Sequence, residues 1–242
     1  MDTQPNPANT APLSGRLVGI APVISAMEAE RLARLSLQAS ANLNQVIEGW
    51  MQRGIDLADI YLHGITEAAR TLGLWWVSDQ LDFASVTVGS SRLHRLLYDF
   101  SPQFQADAAP PLGATVVLLA EPESQHTMGL FMLSEFFRRA GWYTLTEQPR
   151  MDANVLRLLS GHWVDVLALS ISTQRQLPAL KALVRQARQV SPNPRMVVIA
   201  GGPMALDQAH KLADLGVDWV GTDARSTVDR ASLALRPAGP VV

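Results

Sequence analysis

The sequence predicts an α/β protein in two parts, an N-terminal four-helix bundle cap and a C-terminal flavodoxin-like (Rossmann-type) domain with a five-stranded parallel sheet. Residues 25–100 carry apolar side chains at helical spacing, with short breaks between segments. Residues 114–235 alternate short apolar runs with helical patterns, which is typical of a parallel sheet with helical crossovers. Residues 101–113 contain three prolines and follow neither pattern, so a linker is predicted there.

The terminal segments and the composition argue against DNA-binding, disulfide-bonded and membrane-spanning classes of protein. Residues 1–24 are rich in Pro, Asn and Thr and predict a disordered or irregular arm, and residues 236–242 a C-terminal tail. A formal net charge of −2 offers no basic face, so no direct specific DNA binding is expected. The absence of cysteine excludes disulfides, thiolate metal sites and cysteine nucleophiles. No apolar run of membrane-spanning length and no signal peptide are recognisable, so we expect a cytoplasmic protein without a membrane partner.

Four helices are predicted in the bundle. The first begins near Ser25, and the second runs from about Leu43 to Arg53 before Gly54, which suits a helix end. The third is expected to stop near Gly73, and the fourth to run from about Asp82 to Tyr98. The core residues predicted for the third helix are Leu57, Ile60, Tyr61, Ile65 and Ala68, and those for the fourth are Phe83, Val86, Val88, Leu93, Leu96 and Leu97.

Strands and helices alternate through the second half of the chain. The strands are predicted near Thr115–Ala120, Trp142–Leu145, Val164–Ser170, Met196–Ala200 and Trp219–Val220. The helices are predicted near Met128–Ala140, Asp152–Leu159, Leu177–Val190, Ala205–Leu215 and Ser226–Leu235. Five such units suit the flavodoxin-like strand order, in which ligands bind at the carboxyl edge of the sheet beside the first strand.

One histidine stands in the loop after the first predicted strand. His126 lies between that strand and Gly129, where the next helical pattern begins, so it is placed at the ligand-binding edge of the sheet. Neutral imidazole is the commonest protein ligand for transition metals. Spacing alone also allows a solvated loop histidine.

Three short motifs resemble those of cobalamin-binding domains. Ser124-x-His126-x-x-Gly129 resembles the family's Asp-x-His-x-x-Gly signature. The run from Leu169 to Ser172 resembles its Ser-x-Leu element, and the run from Ala200 to Pro203 resembles its Gly-Gly turn. Each motif follows a predicted strand, in the family's order.

The resemblance implies a cobalamin site at the carboxyl edge, in residues 114–235. His126 would be the cobalt ligand below the corrin, in place of the cofactor's own nucleotide base. The displaced nucleotide tail would then run along the edge of the sheet. The residues that the resemblance assigns to the lower face and the tail are Ser124, Gln125, His126, Thr127, Met128, Gly129, Ser170, Ser172, Gly201, Gly202, Thr222, Asp223 and Ala224. Ordinary strand-end hydrogen bonds and a strand-to-helix turn remain alternatives for the serines and the glycines.

Two departures from the family pattern bear on the chemistry. Ser124 replaces an Asp that hydrogen-bonds the ligand histidine, and a hydroxyl cannot serve as that charged partner. This substitution counts against methyl transfer. Related cobalamin photoreceptors carry Trp, nine residues and then Glu-His in a cap above the corrin. Here Trp75 and Trp76 are present, but Val86 and Thr87 take the place of the polar pair. Paired tryptophans can equally be core residues.

The combination of Trp76-x5-Asp82-Phe83-Ala84-x-Val86-Thr87 with the downstream motif resembles the AerR/PpaA antirepressors and the haem- or cobalamin-binding sensor domain of AppA. This resemblance implies a light or redox sensor that is not an enzyme and that binds hydroxocobalamin or adenosylcobalamin. The sensor would bind a DNA-binding transcriptional repressor of photosynthesis and tetrapyrrole genes and relieve the repression. Three alternatives stay open: a corrinoid carrier subunit of a methyltransferase system, a haem sensor, and a protein-interaction scaffold.

Overall fold

The computed structural model describes residues 23–120, 127–147, 153–205 and 207–235. Within them lies a five-stranded, fully parallel sheet in the order β2-β1-β3-β4-β5, which confirms the predicted flavodoxin-like topology. The strands are β1 Thr115–Leu119, β2 Tyr143–Glu147, β3 Val166–Ser170, β4 Val197–Gly201 and β5 Trp219–Val220. Ser124, Gln125 and His126 lie outside the described residues.

The bundle precedes the sheet, and side-chain caps fix where its helices begin. Ser25 and Glu28 form a reciprocal capping box at the first helix, and Asn42, Asp56 and Asp82 each accept hydrogen bonds from backbone N–H groups of the helix that follows. The helical elements are α1 Ala26–Ser36, α2 Leu43–Gln52, α3 Leu57–Asp59, a π-helix Ile60–Ile65, α4 Thr66–Val77 and α5 Phe83–Phe104.

The third predicted helix is continuous from α3 through the π-helix into α4. Its predicted apolar face is buried throughout. The predicted end near Gly73 was wrong, because the helix continues to Val77. An interior glycine costs a helix only about 1 kcal/mol, which the buried side chains of this helix offset.

The fourth helix, α5, is longer than predicted and differs in its exposed residues. It runs past Tyr98 and through Pro102 to Phe104, so it takes in the first four residues of the predicted linker. Phe104 is buried and stacks on Tyr61 with ring centroids 4.6 Å apart, which stabilises this extension. Phe83 and Val88, predicted as core residues, are instead 58% and 53% exposed.

The remaining helices cover both faces of the sheet. They are α6 Met128–Arg139, α7 Ala153–Gly161, α8 Leu177–Val190, α9 Ala209–Asp214 and α10 Ala224–Ala234, so the predicted Ala205–Leu215 helix is shorter than expected. Apolar residues of α6 and α10 pack with one face of the sheet, and those of α7, α8 and α9 pack with the other. The bundle packs on the α6 and α10 side, and its core is continuous with that face.

The chain between α5 and β1 lies against the end of α6. The Ala109 N–H donates to the carbonyl of Arg139 (2.7 Å), and the Leu112 N–H donates to the carbonyl of Gly141 (2.8 Å). A Cβ on Gly141, which has φ +84°, would lie 2.2 Å from the carbonyl oxygen of Pro110. The segment is therefore held to the α/β domain. Across the described ranges, every helix is too short or too polar to cross a membrane.

Candidate functional site

The carboxyl ends of the parallel strands meet at one edge of the sheet. β1 ends at Leu119, and β3 and β4 end side by side, with Ser170 paired to Gly201. Helices α6 and α10 begin at the same edge, after β1 and β5. The structure therefore brings together Met128, at the start of α6, and the other described residues that the sequence assigned to the lower face and the tail.

The two predicted tail glycines have different roles. A Cβ added to Gly202, whose φ is +103°, would lie 2.5 Å from the carbonyl oxygen of Ile171. Gly202 is therefore required by the turn itself. A Cβ added to Gly201 would meet nothing within 4 Å, so this residue borders open space. Ser170 and Ser172, at the end of the neighbouring strand, are both half-buried beside that space.

The segment after β5 forms the start of α10. Asp223 caps this helix by accepting a hydrogen bond from the Ser226 N–H (2.9 Å), and its carboxylate also accepts one from the Ser226 hydroxyl (2.5 Å). Burial acts to raise the pKa of Asp223, but the Ser226 hydrogen bonds outweigh it and hold the pKa below its usual range. The Thr222 hydroxyl lies 3.2 Å from the same carboxylate, and Ala224 is the first helical residue. Asp223 therefore stays ionised and fixes this corner of the edge.

Contacts between α5 and α6 set the height of the bundle relative to this edge. Near the start of α6, Phe131 packs against His94 and Tyr98, with ring centroids 5.6 and 4.1 Å apart. Near its end, Phe136 packs against Phe104 at 5.0 Å. The two helices therefore run in the same direction. Because His94 is level with the first turn of α6, the part of α5 before it extends past the carboxyl edge.

The preceding helix, α4, extends past the edge in the same way. The hydroxyl of Thr66, its first residue, lies 3.5 Å from Sδ of Met132. Val77 lies eleven residues beyond Thr66 in α4, and Phe83 lies eleven residues before His94 in α5. At a rise of 1.5 Å per residue, each helix therefore extends about 16 Å past its contact with α6. The tip of the α4–α5 hairpin therefore extends beyond the carboxyl edge.

The four predicted cap residues divide into two kinds. Trp75 is half-buried, with the Arg34 guanidinium 4.8 Å from its ring centroid, and Val86 packs against the bundle core. These two belong to the bundle. Trp76 is 46% exposed and Thr87 is exposed. The Thr87 hydroxyl donates to the carbonyl of Phe83 (2.7 Å), so the backbone already engages its proton.

His94 is a half-buried titratable group at the junction of cap and domain. Burial lowers the pKa of its imidazole below the usual range, so the ring is neutral at pH 7. Its Nε2 has no hydrogen-bond partner among the residues that the structure describes. The His94 side chain packs against the rings of Tyr98 and Phe131. His94 is eleven residues from Phe83, the first residue of α5.

The carboxyl edge, where the sequence resemblance predicts the cofactor, is open at three glycines. Added Cβ atoms on Gly73 in the hairpin, Gly129 in α6 and Gly201 in β4 would all meet nothing within 4 Å, so there is open space around this edge. Over the described ranges, His, Asp and Glu form no group of three that could hold a metal ion.

The α/β half of the chain is similar to a known protein family. Residues 114–231 match the B12 binding domain family. The matched B12 binding domain begins one residue before β1 and ends within α10, so it contains the whole sheet and every residue assigned to the lower face and the tail. The match supports binding of a corrinoid by this half of the chain.

Two individual proteins resemble a longer part of the chain. A 20.5 kDa protein of Rhodobacter capsulatus, described as uncharacterized and encoded in the bchF-crtJ intergenic region, is 29% identical over 180 residues, which is 74% of this chain and 93% of that protein. The solved structure of the Methanosarcina barkeri monomethylamine corrinoid protein superposes with a TM-score of 0.74 at 13% identity, over 88% of this chain and all of that one. The second similarity shows that the helical bundle and the α/β domain together have the fold of that protein.

Proposed function

We propose that this protein is a cobalamin-binding light sensor that acts as an antirepressor by binding a DNA-binding transcriptional repressor. The observation that carries the cofactor assignment is the open space at the carboxyl edge of a matched B12 binding domain, beneath the tip of the α4–α5 hairpin. The family match favours a corrinoid over the haem alternative.

His126 is the proposed lower cobalt ligand, since it stands two residues before Met128, where α6 begins. Open space at Gly201 would accept the nucleotide tail, with the half-buried Ser170 and Ser172 beside it. Asp223 and Thr222 would hold the far side of the tail site through the start of α10. The bound cofactor would supply a light-sensitive cobalt–carbon bond.

The regulatory part of the proposal rests on the cap and on the Rhodobacter relative. Neither of the residues at the Glu-His positions, Val86 and Thr87, presents a basic or acidic group to the cofactor. The relative is encoded in the bchF-crtJ region, a photosynthesis gene cluster. A light sensor requires its two states to interact differently with the ligand, and the cap is the element whose contacts with the ligand would change.

The absorption spectrum of the purified full chain tests cofactor binding. The protein is mixed in the dark with hydroxocobalamin, adenosylcobalamin or haem, desalted, and measured before and after illumination. We expect retention of a corrinoid, a spectral change on illumination, and loss of the lower-ligand signature in a His126→Ala variant. A normal bound-corrinoid spectrum in His126→Ala would remove the ligand assignment, and retention of haem alone would remove the cofactor assignment.

A second measurement separates the sensor from a corrinoid carrier. The structural neighbour is named as a corrinoid protein for monomethylamine, but fold similarity alone does not decide between the two roles. The products of bchF and crtJ are each titrated with corrinoid-loaded protein kept in the dark or illuminated. Light-dependent binding of a product that itself binds DNA, with release of that DNA, supports the antirepressor role. Formation of methyl-cobalt with a partner methyltransferase, without any light effect, would favour the carrier.

A further inference from the structure

Two exposed apolar residues at the tip of the α4–α5 hairpin, Val77 and Phe83, do not belong to the bundle core. Val77, the last residue of α4, is 78% exposed, and Phe83, the first of α5, is 58% exposed. Four backbone N–H groups of the connecting turn, those of residues 78–81, donate to carbonyls of α4, for example Gln80 to Trp75 at 2.8 Å. The tip is therefore a formed structure, and these side chains are presented to solvent by a well-built turn.

Helix geometry gives both side chains the same direction. Val77 lies eleven residues after Thr66, which contacts α6, and Phe83 lies eleven residues before His94, which also contacts α6. Eleven residues are three turns to within about 20°, since each residue turns the helix by about 100°. Val77 and Phe83 therefore point to the α6 side of the hairpin, at the same height above the carboxyl edge. Thr87, one turn from Phe83, shares this face.

We infer that Val77 and Phe83 form an apolar lid over the upper face of the bound corrinoid, beside Trp76. This inference rests on the proposed function and specifies the chemistry of the same site. Isopropyl and phenyl groups contact a macrocycle by dispersion and exclude water. They cannot coordinate cobalt, so the upper axial position is left to an exogenous ligand whose exchange the lid slows.

Matched residues of similar exposure provide the controls. Val88 is 53% exposed on the same helix as Phe83, but five residues away, so its side chain points about 140° from the lid. Met27 of α1 is 79% exposed and matches Val77. Phe83→Ser and Val77→Ser are compared with Val88→Ser and Met27→Ser. All four changes remove exposed apolar area, so all four proteins are expected to keep the thermal midpoint of the natural chain.

The full chain is loaded with hydroxocobalamin, and exchange of the upper ligand by imidazole is followed by absorbance. Phe83→Ser should speed exchange and weaken hydroxocobalamin binding by about tenfold, as expected for one lost aromatic contact, and Val77→Ser by less. The controls should match the natural chain. Hydrogen exchange adds a second readout, since loading should protect amides of residues 74–88 in the natural chain and protect them less in Phe83→Ser.

Two outcomes would overturn the inference in distinguishable ways. If the natural chain binds hydroxocobalamin and the lid variants exchange ligand at the rate of the controls, the lid is absent while the proposed function stands. If the natural chain binds no corrinoid, the proposed function and the lid fail together.

Discussion

The two halves of the α4–α5 hairpin differ in what they bury. In the docked half, below His94, Phe104 of α5 is almost fully buried and stacks on Tyr61 of the π-helix that leads into α4. In the cap half, above Thr66 and His94, Val77 and Phe83 carry apolar side chains that the protein leaves in water. The same two helices thus provide a stable mount at one end and an unpartnered apolar surface at the other. Stability and ligand contact are assigned to different turns.

The largest expected effect is on the docked half. Replacing Phe104 by Ala removes a ring that stacks on Tyr61, packs on Phe136 and lies under the Arg139 guanidinium at 4.6 Å. We expect a loss of about 3–5 kcal/mol in the free energy of unfolding, measured by urea denaturation. Phe83→Ala in the cap half should change it by less than about 0.5 kcal/mol. Equal losses at the two positions would contradict the division of roles.

Gly201 and Gly202, at the carboxyl edge of the sheet, show the same division between a residue needed for stability and a residue that borders the proposed ligand. Gly202→Ala should cost about 1–3 kcal/mol of stability, because its φ is positive and its new Cβ would meet the Ile171 carbonyl. Gly201→Ala should leave stability unchanged but weaken corrinoid binding, since its methyl group would enter the open space. Thermal unfolding and a hydroxocobalamin titration of both variants test this. Unchanged affinity in Gly201→Ala would move the tail site away from β4.

The stability of the folded protein is expected to decrease in acid because of His94, which lies between the docked half and the cap half. Burial lowers the pKa of His94 in the folded protein below the unfolded value of 6.5. The unfolded chain therefore takes up a proton first as the pH falls below 6.5, and stability present above that pH is lost towards the folded pKa. Urea denaturation at pH 7.5 and 5.5 should show this loss in the natural chain and less of it in His94→Leu.

The smallest effect is expected from the ion pair between bundle and domain. Arg225 of α10 donates to Asp59 at 2.8 Å, but both side chains are about 40% exposed. Such pairs contribute about 0.2–1 kcal/mol, so Arg225→Gln should leave the bundle docked. A double-mutant cycle with Asp59→Asn measures the coupling. A coupling well above this range would mean that charge, rather than the shared apolar core, holds the bundle in place.

The sequence predicted the sheet well because its signals are strong and local. The buried strands β1 and β3 are continuous apolar runs, and the helices between strands are long enough to show periodicity. The strand order confirms the predicted fold, and the similarity of residues 114–231 to the B12 binding domain family supports corrinoid binding. The assignment of His126 stays a prediction, as does the identity of the partner.

The cap was harder to predict because apolar periodicity marks one face of a helix but does not show whether another element packs against that face. Phe83 and Val88 continue the pattern of α5 and were therefore assigned to the core, although the helix extends beyond its neighbours at that point. Pro102 and Gly73 suggested helix ends, whereas burial of Phe104 and of the α4 face outweighed their cost. The contacts of Thr66 and His94 with α6 show the point beyond which the hairpin no longer packs against the α/β domain.

The π-helix between Asp59 and Thr66 sets the rotational phase of the cap. Its wide turn, closed by the Thr66 N–H donating to the carbonyl of Tyr61, holds one residue more than an α-helical turn. That extra residue lets Asp59 meet α10 while Thr66 meets α6. Without it, α4 would be turned by about 100°, and Val77 would no longer face the sheet edge. The one extra residue in the π-helical turn thus sets the direction in which the cap half of the α4–α5 hairpin faces.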